Sequence, residues 1–151
     1  MQASAAVEAN PIIVHPTQTV AETVQALRAN AQVRAAIVED DGRLVGLMGL
    51  HDVLRYLLPS YVSLDPNLVN ALDEKYYAEH YAKLAKRRVD QVMLRHFVSV
   101  PPDCSLGRAM AVMTEQQWQP LPVADRGKFI GMLTRASILG ALAESAARLG
   151  L

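Results

Sequence analysis

Gly42-Arg43-Leu44-Val45-Gly46-Leu47-Met48 and Gly127-Lys128-Phe129-Ile130-Gly131-Met132-Leu133 carry the same pattern: a glycine, a basic residue, two large apolar residues, a second glycine and two more apolar residues. An internal repeat of this length decides an architecture, because each copy must be one supersecondary unit rather than an arbitrary stretch of chain. Upstream the match continues at a shift of 86 residues, with Val14-His15-Pro16-Thr17-Gln18-Thr19-Val20 over Val100-Pro101-Pro102-Asp103-Cys104-Ser105-Leu106. Ala36-Ile37-Val38-Glu39 then lies over Pro122-Val123-Ala124-Asp125, and Asp41 is read as one extra turn residue that reduces the shift to 85.

Each copy spells out its elements. Thr19 followed by Glu22 reads as a capping box, and Val20, Val24 and Leu27 recur at the spacing of a helix packed on one side. Ser105 repeats the cap, with Leu106, Ala109 or Met110, and Met113 as the stripe and Arg108 in place of the acid. Two apolar runs follow in each copy, 35–38 with 44–48 and 121–124 with 129–133, joined by Asp- and Gly-containing turns that read as hairpins. A second helix closes each copy, about 52–58 and about 136–149, the latter with Ile138, Leu139, Leu142, Ala146 and Leu149 on one face.

The fold class is therefore α+β: two β-α-β-β-α repeats, 1–58 and 90–151, with a helical Tyr-rich insert at 59–89. A unit of about 45 residues is too small for a sufficient core of its own, so the copies are expected to pack as a pseudo-twofold pair. All five tyrosines, Tyr56, Tyr61, Tyr76, Tyr77 and Tyr81, fall in or beside the insert, and Leu68, Leu72, Tyr76, Leu84 and Val89 after Pro66 suggest one long helix. Lys83, Lys86, Arg87 and Arg88 near its end are interleaved with Glu74, Glu79 and Asp90, which reads as a solvated face.

Composition bounds the function classes. The chain has 151 residues, 51% apolar and 20% charged, an ordinary globular balance. Lys plus Arg and Asp plus Glu are 15 each, so no global field draws it to nucleic acid or anionic lipid. Cys104 is the single cysteine, which fits a reducing compartment, and His15, His51, His80 and His96 lack metal-site spacing. The first residues lack a basic region followed by an apolar one, and no apolar run is long enough to span a bilayer. A soluble cytoplasmic protein is expected, with no direct membrane insertion. No hydrolytic triad or Gly-rich phosphate loop is present, so no enzyme is expected.

Leu121-Pro122-Val123, Gly131-Met132-Leu133-Thr134-Arg135-Ala136-Ser137 and, in the first copy, Gly46-Leu47-Met48-Gly49-Leu50-His51-Asp52 resemble a tandem pair of cystathionine β-synthase type (CBS) domains, over about 11–58 and 90–145. The resemblance implies an adenosine-ligand sensor taking AMP, ADP, ATP or S-adenosylmethionine in clefts between the copies, no required cofactor, and a disc-like homodimer. It also implies a Ser or Thr and, three residues later, an Asp at the strand-to-helix turn, contacting phosphate and ribose. Here that motif is split. The first copy keeps Asp52 but has Gly49 in the hydroxyl position; the second keeps Thr134 but has Ser137 in place of the acid.

By the same resemblance, the better cleft combines Asp52 and Arg34 with Val98, Val100, Trp118, Gln119, Pro120 and Leu121. Trp118 would stack on adenine, Arg34 would take phosphate and Asp52 the ribose. The other cleft would use Thr134 and Arg135 with Val14, Val33, Arg34 and Ala35, and lacks an acid. Each residue has an alternative role: Asp52 favoured by a helix dipole, Thr134 as a helix cap, Trp118 in the core and Arg34 in a surface ion pair. Two functions remain open. One is a ligand-sensing module that regulates an unidentified protein in trans, since no output domain is apparent. The other is an interaction scaffold with degenerate nucleotide sites, in which the insert and the last helix bind a partner or a second copy. Both bury the 138–149 face in a dimer.

Overall fold

The computed structural model describes residues 1–30, 33–59, 65–116 and 120–151. Among these residues five strands and five α-helices follow one another as β1 Ile13–Val14, α1 Val20–Ala29, β2 Ala35–Asp40, β3 Arg43–Gly49, α2 Leu50–Leu57, α3 Glu74–Ala85, α4 Leu106–Gln116, β4 Leu121–Asp125, β5 Lys128–Leu133 and α5 Arg135–Arg148. The strand order is β1-β2-β3-β5-β4. β1 runs parallel to β2 with Ile13 opposite Ile37 and Val14 opposite Val38, and its counterpart in the second copy is a single parallel bridge, Val100 to Val123. β4 and β5 are antiparallel from Leu121 opposite Leu133 to Asp125 opposite Lys128.

Both hairpins close with two-residue turns in which both residues have positive φ: Asp41 at 52° and Gly42 at 81°, Arg126 at 51° and Gly127 at 84°. These signs are those of the type I′ turn that suits twisted strands. The turns are equivalent, so Asp41 is not an extra residue, which corrects the sequence alignment. Val38 pairs as Val123 does, although Val14 and Val100 keep the 86-residue shift, so the first copy gains its residue between α1 and β2.

The helix caps follow the sequence in part. Thr19 Oγ1 accepts from the Glu22 N–H at 3.2 Å, but the Glu22 carboxylate accepts from Gln18 Nε2 at 3.1 Å, so only half of the box is an N-cap contact. Ser105 Oγ accepts from the Arg108 N–H at 3.1 Å. The insert is not one long helix: a 3-10 segment, Pro66–Ala71, precedes α3, and Asp73 caps α3 by accepting from the Tyr76 N–H at 2.9 Å. A side chain that competes for the first helical N–H favours starting a helix there over continuing one through it. Lys83, Lys86, Arg87 and Arg88 are exposed, with Arg88 paired to Asp90 at 2.6 Å and Arg87 over the Tyr56 ring at 5.9 Å.

The chain forms two compact units, neither of them contiguous: Met1–Pro11, Glu39–Val45 and His96–Leu151 make a carboxy-terminal unit, and Ile12–Val38 with Gly46–Arg95 an amino-terminal one. The segment that opens each copy is a strap on the other copy. In the carboxy-terminal unit the Leu106 N–H donates to Met1 O (2.9 Å), Ala3 N–H to Cys104 O (2.7 Å), Ser4 N–H to Pro102 O (3.2 Å) and Glu8 N–H to Met132 O (2.7 Å). In the amino-terminal unit the corresponding bonds are Val20 N–H to Arg87 O (2.9 Å), Val89 N–H to Gln18 O (2.8 Å), Asp90 N–H to Pro16 O (3.0 Å) and Leu94 N–H to Leu47 O (2.7 Å). Residues 87–94 thus repeat residues 1–8.

The straps complete the cores. Ala3 and Ala6 are buried with Val100, Leu106, Ala109, Met113, Leu121, Val123, Leu133 and Ile138. Their counterparts Val89 and Val92 are equally buried in the amino-terminal unit. A strand glycine makes room for each strap: a Cβ on Gly131 would sit 2.7 Å from Val7 Cγ1, and one on Gly46 would meet the Met93 side chain. Ile138 is the buried residue of α5, whereas Leu139 is 65% exposed and Leu142 and Leu149 are also exposed, so most of the expected apolar face is uncovered.

Candidate functional site

Two strand-to-helix turns carry the polar side chains singled out by sequence. In the amino-terminal unit β3 ends at Gly49, and α2 begins at once. Asp52, in the first turn of α2, accepts from the Gly49 N–H through Oδ2 at 2.8 Å, while Oδ1 lies 3.6 Å from the exposed Arg55 guanidinium. The side chain is only 16% exposed. The helix-terminal role weighed for Asp52 is thus real, yet a carboxylate has about four acceptor positions and this one retains spare capacity.

Gly49 explains why this turn lacks a hydroxyl. A Cβ there would stand 2.9 Å from the Arg34 carbonyl oxygen and 3.6 Å from Asp52 Oδ2. Arg34 and Asp52 are therefore brought to the same glycine, and the close backbone approach that joins them leaves no room for serine or threonine. Repairing the motif by Gly49→Ser is accordingly expected to destabilise the protein by about 1–3 kcal/mol, measured by urea unfolding. Unchanged stability would show that the Arg34 segment yields freely. The Arg34 side chain is exposed and makes no ion pair among the described residues.

In the carboxy-terminal unit, Thr134 caps α5. Its Oγ1 accepts from the Ser137 N–H at 3.0 Å, and its N–H donates to Ser137 Oγ at 2.9 Å, a reciprocal box in which serine replaces the usual acid. The hydroxyl proton goes elsewhere: Thr134 Oγ1 donates to Glu8 Oε2 at 3.1 Å. Thr134 is 4% exposed and Glu8 half-buried. Glu8 was not among the sequence candidates. Its signal was the continuation of the 86-residue repeat into the first eight residues, where Glu8 corresponds to Leu94.

The remaining candidates divide as follows. Asp52 and Arg34 belong to the amino-terminal unit; Val98, Val100, Pro120, Leu121, Thr134 and Arg135 to the carboxy-terminal one. Val100 and Leu121 are buried core side chains, Pro120 is buried, and Val98 packs half-buried against that core. Trp118 and Gln119 lie outside the described residues. Arg135 is exposed and lines an apolar groove of about 380 Å³ with Met110, Met113, Thr114, Ile138 and Leu139, formed by α4 and α5. Among the described residues no group of three His, Cys, Asp or Glu is placed to hold a metal, and no helix is long and apolar enough to cross a membrane.

Residues 4–59 and 89–144 each match the CBS domain. The chain belongs to the CBS-domain family. Each CBS match begins within a strap and ends within or just after a second helix, so the family's unit of sequence includes the segment that packs on the other copy. An uncharacterized protein of Methanocaldococcus jannaschii, MJ1426, is 28% identical over 144 residues, covering 87% of this chain and 86% of that protein. Among solved structures, a CBS domain-containing protein of unknown function from Kribbella flavida superposes with a TM-score of 0.70 at 24% identity, over 95% of this chain and 99% of that one. CBSX2, crystallised in complex with AMP, superposes with a TM-score of 0.69 at 24% identity, over 95% of this chain and 97% of that one. The fold is that of a CBS pair.

Proposed function

We propose that this CBS pair is a regulatory sensor that binds an adenosine-containing ligand, AMP, ADP, ATP or S-adenosylmethionine, at the turn carrying Asp52, and regulates a partner protein in trans. It performs no chemistry in this reading, needs no cofactor and works in the cytoplasm. The observation that carries the proposal is the pairing at Gly49: a largely buried carboxylate with acceptor capacity to spare, beside the segment of an exposed arginine that has no ion-pair partner among the described residues. Ribose hydroxyls need such an acceptor, and a phosphate needs such a cation. The AMP complex of CBSX2 supports the ligand class. Titration calorimetry of the protein against the four ligands, with Asp52→Ala and Thr134→Ala alongside, tests it.

A second reading, a scaffold that binds no nucleotide, is favoured by the Thr134 hydroxyl being engaged by Glu8 and by the uncovered leucines of α5. Under either reading we propose a homodimer through that helix, because Leu139, Leu142 and Leu149 form an exposed apolar surface beside the α4–α5 groove. Leu139→Glu is expected to leave the fold intact and convert dimer to monomer in sedimentation velocity. A monomeric wild type, or a variant that stays dimeric, sinks the proposal of this interface.

A further inference from the structure

The two turns differ in what the strap delivers to them. At the Thr134 turn the strap brings a carboxylate: the Glu8 N–H donates to Met132 O at 2.7 Å, and its Oε2 accepts from the buried Thr134 hydroxyl at 3.1 Å. At the Asp52 turn the equivalent backbone bond, Leu94 N–H to Leu47 O at 2.7 Å, delivers a leucine. α5 is a helix of 14 residues, and a carboxylate held at its first turn lies where the helix dipole and its free N–H groups favour an anion. Among the described residues no cation pairs with Glu8 to cancel its charge. The Thr134 hydroxyl is also committed: it donates to Glu8 and accepts from Ser137, leaving no proton for a ligand.

From this arrangement we propose that Glu8 is an internal anion that closes the Thr134 turn to phosphate-bearing ligands, leaving the Asp52 turn as the one open to them. The proposal rests on the adenosine-ligand reading for the choice of ligand and goes beyond it in assigning a residue to selectivity. A phosphate group entering the Thr134 turn would meet a like charge at hydrogen-bond range and a hydroxyl with no proton to give. An uncharged nucleoside would meet no such repulsion. The device is built into the strap, since the residue that reaches Thr134 is the one held by the Glu8–Met132 backbone bond.

The test is Glu8→Gln, which keeps an oxygen for Thr134 and removes the charge, with Glu8→Ala as a second variant that removes the contact altogether. Calorimetry with AMP is expected to show in both variants a second, phosphate-dependent site that binds about tenfold or more tightly than the Thr134 turn of the wild type, while adenosine binding changes little. Adding Thr134→Val to Glu8→Ala, the variant that releases the hydroxyl, is expected to abolish the new site, and Asp52→Ala to leave it in place. If neither Glu8 variant gains AMP binding while both melt as folded proteins, or if either weakens it, the proposal is overturned. The outcome is separable from the function reading: a wild type that binds no ligand removes the Asp52 site, whereas a gain in Glu8→Gln still stands on its own.

Discussion

Asp52→Ala is expected to weaken adenosine-ligand binding by about 10- to 100-fold. Hydrogen bonds to a charged group contribute about 1.5–3 kcal/mol, and each 1.4 kcal/mol is about tenfold in affinity. The same substitution removes the acceptor for the Gly49 N–H at the start of α2, a loss of about 1 kcal/mol in stability. The two effects are separable with Asp52→Asn, whose amide oxygen can still accept from Gly49 but carries no charge. Its stability should stay within about 0.5 kcal/mol of wild type while its affinity falls. Thr134→Ala should do the reverse, lowering stability by about 1–2 kcal/mol through the lost cap and leaving affinity unchanged. Saturable binding that survives Asp52→Ala would move the site away from this turn. No heat with any of the four ligands, and no rise in melting temperature on adding them, would leave the scaffold reading as the better account.

What the sequence made legible is what has a period. The 3.6-residue stripe at Val20, Val24 and Leu27 marks α1, all three of them buried, and the paired apolar runs around Asp41-Gly42 and Arg126-Gly127 mark the hairpins. The candidates at the turns were legible through the resemblance to CBS domains, whose motif falls on Gly49 and Asp52 in one copy and on Thr134 and Ser137 in the other. The straps escaped because they have no period. Ala3, Ala6, Val89 and Val92 are small side chains on straps whose backbone bonds, Ala3 N–H to Cys104 O and Val89 N–H to Gln18 O among them, reach segments about a hundred or about seventy residues away in sequence, and nothing local announces that. Glu8 escaped with them, since its partner Thr134 is 126 positions distant. The face of α5 was legible as apolar but not in what covers it: the spacing of Ile138, Leu139, Leu142 and Leu149 identifies the surface, and of these only Ile138 is buried by this chain. The extra residue of the first copy was placed at Asp41 because turns tolerate insertions, whereas matched I′ turns require equal length on both sides.

Placing a carboxylate at Ala6 is expected to destabilise the protein by about 3 kcal/mol or more, a large part of the 5–15 kcal/mol typical of a domain. Ala6 is 2% exposed in a core built from Val100, Leu106, Leu121, Val123, Leu133 and Ile138, where a charge finds neither water nor a partner. Val92→Asp should be comparably severe in the other unit, because Val92 holds the equivalent strap position and is as deeply buried. Ala5→Asp and Gln91→Asp, at the neighbouring exposed strap positions, serve as controls and should shift stability by no more than about 0.5 kcal/mol. The location of the damage is the sharper readout. Residue 6 lies at the start of the first copy in sequence but belongs to the core of the second, so amide exchange in Ala6→Asp should accelerate in α4, β4, β5 and α5 before it does in α1 and α2. In Val92→Asp the order should invert. Acceleration confined to α1 and α2 in Ala6→Asp would mean that the amino-terminal strap packs on its own copy, and the reason given for Gly131, that Val7 occupies the space of its missing Cβ, would fall with it.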